Sequence, residues 1–518
     1  MSKSFPNSPT FQGLSRSVRI EANIDFLEIK GELPKDLNGS FVRCHPDPRF
    51  PPMLGDDIYV HGDGMLSALR LENGGASYRS RYVQTDRFKA ETRAGRSLFG
   101  QYRNPWTDDP SVTGMDRGTA NTTPLFHAGR LLALKEDSRP YECDPDTLET
   151  RGRWTADGAI KSPHITAHPK VDPLTGEAIF FGFQAKGPGT RDIAYYSIDR
   201  DGNVNHEVWF EAPFASFMHD FFITENYAIF PVFPAVTLTE KVKAGEPYYW
   251  WDPELPTWIG VLPRKGSASD IQWFSGPGRF GYHFYTAWEE GRRLHMKAFV
   301  MEPEFPMPFP VLADMSVQTT KAVAGGIYAD GDISPTPGAA AAMPAPTTRL
   351  VEWIVNLDGP ETAFEEITHQ KGKFAEAPRY DPRYETKKLR HGWANVRDLS
   401  RSTYGDPYVI MDCNVLEHYD FSSGEVQQYW YGEGRAGSEP LFVPRHPAAP
   451  EGDGYIVMCL NVQDGQGSEF IVLDALDIGK GPLATMSLPY HPRFAFHGTW
   501  IPLGLQTAQQ AGPVRPAK

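Results

Sequence analysis

This 518-residue sequence is short of positive charge. Lys and Arg together number 51 against 65 Asp and Glu, for a formal charge of −14. A protein that binds nucleic acid irrespective of sequence needs basic side chains to displace phosphate counterions, and anionic membranes attract basic segments, so neither partner is expected. Cysteine is scarce as well. Cys44, Cys143, Cys413 and Cys459 lie far apart, without metal or redox spacing, which argues against a disulfide framework and makes a reducing cytoplasm the simplest expectation. No run approaches the ~18 apolar residues of a spanning helix. The most apolar stretch, Tyr227–Val236, is short and holds two prolines, so no stable membrane insertion is expected. The start, MSKSFPNSPTFQG, lacks the apolar core of a secretory signal. Several chemical signatures are missing too. Without GxGxxG, GxxxxGK[ST], HExxH, CxxC or GxSxG, dinucleotide and P-loop binding, zincin chemistry and a nucleophile-elbow hydrolase all lose their usual footing.

Glycine and proline are plentiful: 48 and 46 residues, spread along the sequence. Proline removes a backbone donor and clashes with the preceding turn, so long helices are excluded. Hydrophobic residues make up 40% and aromatics 13%, enough for a large core. Short runs rich in β-branched and aromatic residues recur: Ala178–Phe183, Asp192–Ile198, Tyr227–Val232, Tyr408–Met411, Gly454–Leu460 and Glu469–Leu473. Turn sequences such as DPLTGE, DRDGN, FSSGE and PEGDG separate them. The pattern predicts an all-β protein. Length alone would suggest about three domains. With no clear linker, a single β-propeller over residues 1–518 fits better, with about 70 residues for each of seven blades. Ala363–His369 and the region of Lys241 are candidate short helices. The Ala/Gly/Pro-rich segment 322–348 reads as a surface insertion, and residues 1–14 and 506–518 as flexible ends.

Four of the fifteen histidines stand out by context. His168 lies in TAHPKVDPLTGE, His219 in FMHDFFITENYAIF, His283 in YHFYTAWEEG and His497 in FAFHGTW. An imidazole without a partner is costly in such apolar surroundings. One of them alone would read as a satisfied core residue; four could converge on a propeller axis. Neutral imidazoles suit a first-row metal such as Fe, Cu or Zn rather than Ca or Mg. A ligating histidine normally donates its other N–H to a carboxylate, for which Glu136, Glu376 and Glu439 are candidates; each, taken singly, reads as a solvated surface residue.

These same segments carry a family resemblance. GELPKDLNGSFVRCHPDP, HGDGM, AHPKVDPLTGE, MHDFFIT, AWEEG, EPLFVPRHP, PEGDGY and FHGTW occur in the order found in the carotenoid cleavage oxygenases, across nearly the whole sequence. The resemblance implies a seven-bladed propeller with a loop and helix cap over the metal-bearing face. It also implies one Fe(II) per chain held by His168, His219, His283 and His497, with Glu136, Glu376 and Glu439 behind three of them. SLFGQYRNPWTDDPSVTGMDRGTANTT followed by ALKED looks like the branch that acts on phenolic alkenes, the lignostilbene, isoeugenol and vinylguaiacol oxygenases. In that branch a Tyr and a Lys hold the substrate's 4-hydroxyl, positions matched by Tyr102 and Lys135. Thr122 matches a threonine that crowds an open iron position. Val60 stands where stilbene enzymes carry Phe, a departure that bears on the packing of a second aromatic ring.

The resemblance therefore implies O2-dependent cleavage of the exocyclic double bond of a small phenolic alkene, giving an aromatic aldehyde such as vanillin and a second carbonyl fragment. Lys135, otherwise the solvated end of an apolar strand, would favour the phenolate, because an ammonium within ~4–6 Å stabilises the charged form. A stilbene-cleaving or apocarotenoid-cleaving relative is the alternative within the family. A non-catalytic binding propeller with core histidines is the alternative outside it, and a zinc hydrolase is weaker. A monomer and a homo-oligomer are both compatible with the sequence.

Overall fold

The computed structural model describes residues 4–55, 57–302, 347–360, 362–401, 413–463 and 467–504. Most of the segment 322–348, the strand expected at Tyr408–Met411 and the tail 506–518 lie outside the described residues.

The described residues form a ring of antiparallel sheets. Three four-stranded blades follow one another in simple meander order: Thr123–His127 through Thr150–Arg153, Lys170–Val171 through Val204–Glu211, and Phe222–Ile223 through Gln272–Gly276. The next two blades share one long strand, Glu365–Arg379. Its first part, to Lys373, pairs with Thr347–Asn356; its second part, from Phe374, pairs with His391–Arg397. The last two blades close the ring by exchanging the ends of the polypeptide. Glu28–Gly31, from the N-terminal region, pairs with Ala484–Leu488. Gly498–Pro502, from the C-terminal region, pairs with Gly39–Pro46. Counted this way the sheets make seven blades, as expected for the all-β propeller.

The apolar runs became the middle strands of their blades for a simple reason. A strand packed between two neighbouring blades is covered on both faces and reads as a continuous hydrophobic segment rather than an alternating one. Ala178–Phe183 and Asp192–Ile198 are buried at every position, whereas the outer strand Val204–Glu211 alternates buried and accessible residues. Phe181, Phe230 and Trp353, all fully buried, link three successive blades in one aromatic core. Each such ring contributes about 1.5–3 kcal/mol on burial.

Two local expectations need correction or addition. Ala363–His369 is not helical: from Glu365 it is the exposed start of the shared strand. Ile367 and Thr368 favour the extended form, and the neighbouring strand Thr347–Asn356 offers a ladder that no isolated helix would have. The Lys241 region does form a short helix, Thr239–Lys243. A helix not anticipated, Asp86–Ala94, is capped by the Thr85 hydroxyl at its start and by Gly95 at φ 66 at its end. The N-terminal stretch, expected to be flexible, packs against the propeller from Ser8 onward. Buried Arg493 donates to the carbonyls of Thr10 and Ser15 at 2.6 Å each, and Phe11 is buried. All four cysteines are buried, and none is joined in a disulfide. Among the described residues no helix is long and apolar enough to cross a membrane.

Candidate metal centre and adjoining cavity

Each of the four singled-out histidines sits just before the innermost strand of a blade. His168 precedes Lys170–Val171, His219 precedes Phe222–Ile223, His283 adjoins Phe284–Glu290, and His497 adjoins Gly498–Pro502. Inner strands all start near the axis, so their leading residues meet. One ring nitrogen from each histidine lies within 4.8 Å of the others. Ring centroids are separated by 4.3 Å for His168–His219, 4.6 Å for His168–His497 and 4.7 Å for His283–His497.

Three carboxylates set the orientation of three of these rings. His219 Nδ1 is 2.6 Å from Glu136, His283 Nδ1 is 2.7 Å from Glu376, and His497 Nδ1 is 2.7 Å from Glu439. A carboxylate accepts, so each Nδ1 carries the proton and each Nε2 presents a lone pair to the centre. His219 Nε2 and His283 Nε2 then face each other at 3.1 Å with no proton between them. His168 Nε2 is buried without a hydrogen-bond partner. A cation at the centre would satisfy all of these lone pairs at once, and neutral nitrogen donors match a first-row transition metal. Glu376 pushes His283 up against its burial, whereas two of the other rings are shifted down. Burial, followed by the neighbouring imidazoles, pushes His168 well down, and burial holds His497 at about 4, so both remain neutral near pH 7.

The carboxylates are themselves held. Burial would raise Glu136, but the contact with His219 and the charges of Arg103 and Lys135 outweigh it and bring it to about 2. Arg103 forms an ion pair with Glu136 at 3.0 Å. Arg379 pairs with Glu439, which is likewise held at about 2 against its burial. Glu376 owes its aim to an interrupted ladder: the register shifts between Glu376 and Arg379, with Ala377 at φ 53. Such bulges redirect a residue at modest cost. Arg103 and Arg379 were not anticipated; each stands beside a residue or motif that was, in QYRNPW and FAEAPRY.

A cavity opens on this cluster. Val60, Phe217 and Phe496 make its apolar wall; Tyr102, Tyr249, Thr122, Lys135 and Glu136 line it, with His219, His283 and His497 at its base. Lys135 is buried and its Nζ donates to the Val60 carbonyl at 3.2 Å, with Tyr102's ring centroid 5.4 Å away. Burial pushes the Lys135 pKa down, partly offset by Asp137 and Glu136. The Tyr102 hydroxyl accepts from Arg103 Nε at 3.0 Å and donates to Glu136 at 3.4 Å. Thr122 donates to the Asn121 amide oxygen at 2.9 Å, while Asn121 is fixed by the carbonyls of Val60 and Gly62. Every residue singled out from the sequence therefore lies at this centre or on the cavity wall. Phe217, Tyr249 and Phe496 were not singled out, since an aromatic in a β-rich protein is by default core.

Comparison with known proteins agrees with this architecture. The family model of RPE65, the retinal pigment epithelial membrane protein, matches residues 15–502. The isoeugenol monooxygenase of Pseudomonas nitroreducens is 42% identical over 498 residues, covering 96% of this chain and 98% of the relative. Lignostilbene-α,β-dioxygenase isozyme III of Sphingomonas paucimobilis is 38% identical over 501 residues, covering 96% and 97%. The crystal structure of the Pseudomonas brassicacearum lignostilbene dioxygenase, also 38% identical, matches with a TM-score of 0.85 over 97% of this chain and all of that one. With a propeller closed by its own termini, a four-histidine centre on the axis and full-length similarity to named oxygenases, the protein belongs to the RPE65 family of carotenoid cleavage oxygenases and is an oxidoreductase of that family.

Proposed function

We propose that this protein uses O2 to cleave the exocyclic double bond of 4-hydroxyphenyl alkenes, releasing an aromatic aldehyde and a second carbonyl fragment, with Fe(II) held by His168, His219, His283 and His497. One observation carries the reading: Lys135 and Tyr102 share a cavity with three of those histidines. A basic amine buried in an apolar pocket calls for a polar or acidic group on the ligand, and a phenol meets that demand. A carotenoid polyene offers nothing to it.

The protein's own groups then have clear parts. Lys135, its basicity lowered by burial, takes up the phenol proton at Nζ and remains beside the phenolate as an ammonium. Tyr102, whose hydroxyl burial keeps protonated, turns its one proton from the long 3.4 Å contact with Glu136 to the same oxygen when substrate is bound. A para-phenolate pushes electron density onto the exocyclic double bond and makes it the more nucleophilic partner for O2. Val60, Phe217 and Phe496 exclude water and hold the alkene over the histidines. Thr122 has its hydroxyl committed to Asn121, so it narrows the space beside the metal by bulk rather than by ligation. Ferrous iron at the four imidazoles would supply the redox activation of O2. Glu136, Glu376 and Glu439 keep the imidazoles oriented, with each Nδ1 carrying the proton and each Nε2 left for the metal. Four buried cysteines, none of them in a disulfide, support a cytoplasmic setting.

The test is aerobic incubation of iron-loaded protein with isoeugenol, 4-vinylguaiacol, coniferyl alcohol and a hydroxystilbene, reading aldehyde release and O2 uptake. Aldehyde from at least one is expected. Neither aldehyde nor O2 consumption from any of them overturns the reading.

A further inference from the structure

Tyr249 stands out in the cavity wall because its hydroxyl has nothing to bond. The residue is 1% exposed, and its Oη is buried without a hydrogen-bond partner among the described residues. Leaving a buried hydroxyl unpaired is unfavourable, so a group that enters the cavity is the natural acceptor. The ring is held firmly. It packs on Phe217 at 4.4 Å between centroids and edge-on against Tyr248 at 4.8 Å. The Arg103 guanidinium lies 5.6 Å from the Tyr249 ring centroid, and its Nε bonds the Tyr102 hydroxyl at 3.0 Å. Tyr249 and Tyr102 therefore flank one guanidinium, which places Tyr249 at the polar end of the cavity, where Lys135 and Tyr102 meet the phenol. Burial keeps its hydroxyl protonated, hence a donor.

We infer that Tyr249 is a specificity-determining residue: its hydroxyl donates to an ether oxygen ortho to the substrate phenol, so the site selects 4-hydroxy-3-methoxyphenyl alkenes over their 4-hydroxyphenyl counterparts. The inference rests on the phenolic-alkene reading above. The chemistry favours it. In a free guaiacyl ring the methoxy oxygen accepts from the adjacent phenol O–H. Once Lys135 has taken that proton, the methoxy oxygen loses its internal donor and faces a pocket with one hydroxyl to offer. A site that donates to a substrate oxygen also disfavours the analogue lacking it, because its own polar group is then left unpaired.

The experiment compares isoeugenol with 4-propenylphenol in the wild-type protein and in Tyr249→Phe, which keeps the ring and removes the hydroxyl. The wild type is expected to prefer isoeugenol. In Tyr249→Phe, kcat/KM for isoeugenol should fall about three- to tenfold, mainly through KM, with 4-propenylphenol unchanged or improved. Metal content should stay at the wild-type level. An equal loss on both substrates, or an unchanged ratio, overturns the assignment. Should Tyr249→Phe not fold, the wild type decides alone with 3-ethyl-4-hydroxyphenylpropene, which matches the methoxy group in bulk but offers no acceptor: cleavage as efficient as that of isoeugenol overturns the assignment, and weaker cleavage supports it. A wild-type protein that cleaves none of these phenols overturns the phenolic reading itself and this inference with it, an outcome distinct from cleaving all of them equally.

Discussion

Glu136 Oε2 lies 2.6 Å from His219 Nδ1, while Lys135, the preceding residue, sends its Nζ into the cavity to within 3.2 Å of the Val60 carbonyl oxygen. One strand end thus serves both halves of the site. Both residues of this Lys-Glu pair line the cavity, where one offers its amine to the substrate pocket and the other braces a histidine.

That pairing makes the two residues separable by mutation. Glu136→Ala removes the acceptor that fixes the His219 tautomer. Metal affinity is expected to fall about 10- to 100-fold, read by competition with a chelator. It also takes from Arg103 the closer of its two carboxylate partners, leaving Asp137 at 3.7 Å, so the unfolding temperature should drop. His219→Ala should go further and emerge from purification with little metal, as elemental analysis would show; full occupancy in that variant would contradict the assignment of His219 as a ligand.

Lys135→Met is expected to behave in the opposite way. It keeps length and apolar character, leaves the histidines and their carboxylates untouched, and should retain wild-type metal content. Activity on 4-hydroxylated alkenes should fall at least about 100-fold, the usual contribution of a positioned proton-transfer group. Undiminished turnover of isoeugenol would refute the role given to Lys135.

Stability should decline on mild acidification for a reason remote from the site. His418 is buried, stacks on Trp393 at 5.2 Å and sits 3.1 Å from His391 Nδ1. Burial, followed by the proximity of His391, lowers its pKa from 6.5 to about 4. The unfolded state therefore binds a proton between those values that the folded state refuses. Stability is fully present above pH 6.5 and is lost as pH falls toward 4, by up to about 3 kcal/mol for this group. His418→Phe, which preserves the stacking, should show a shallower loss of denaturation midpoint between pH 6.5 and 4.5 than the wild type. Identical slopes would argue against His418 as the source.

Gly64 in HGDGM has a packing role that a single methyl group would expose. A Cβ at this position would overlap the backbone carbonyl oxygens of Thr119 and Ala120. Those residues lead into Asn121 and Thr122 on the cavity wall. Gly64→Ala is expected to cost about 1–3 kcal/mol through overpacking and to lower turnover by displacing Thr122, seen as a reduced unfolding temperature together with reduced kcat.

Much of this was legible in advance. Runs such as AIFFGF and DIAYYSI announced strands because a β-branched and aromatic segment bounded by turn residues has few other stable choices. The surroundings of His168, His219, His283 and His497 marked them as more than surface residues. Ala363–His369 misled because its acidic residues look helical locally, while its ladder partner, Thr347–Asn356, lies before it across a turn and rewards the extended form. Arg103, Arg379 and Tyr249 were hidden for a related reason. Nothing in the local sequence tells an arginine held beneath a carboxylate from a solvated one, or a tyrosine with an unpaired hydroxyl on a cavity wall from one at the surface.

By itself, then, the sequence determined the chemical inventory and the local conformations: neutral nitrogen donors before apolar strands, carboxylates to orient them, and a lysine ending a strand. Only the tertiary structure decided which of these groups meet. The histidines come from separate blades and touch because the ring closes, with Gly498–Pro502 pairing to Gly39–Pro46 and Glu28–Gly31 to Ala484–Leu488. Closure is a long-range event with no local signature, since its entropic cost is met by contacts between residues at opposite ends of the polypeptide.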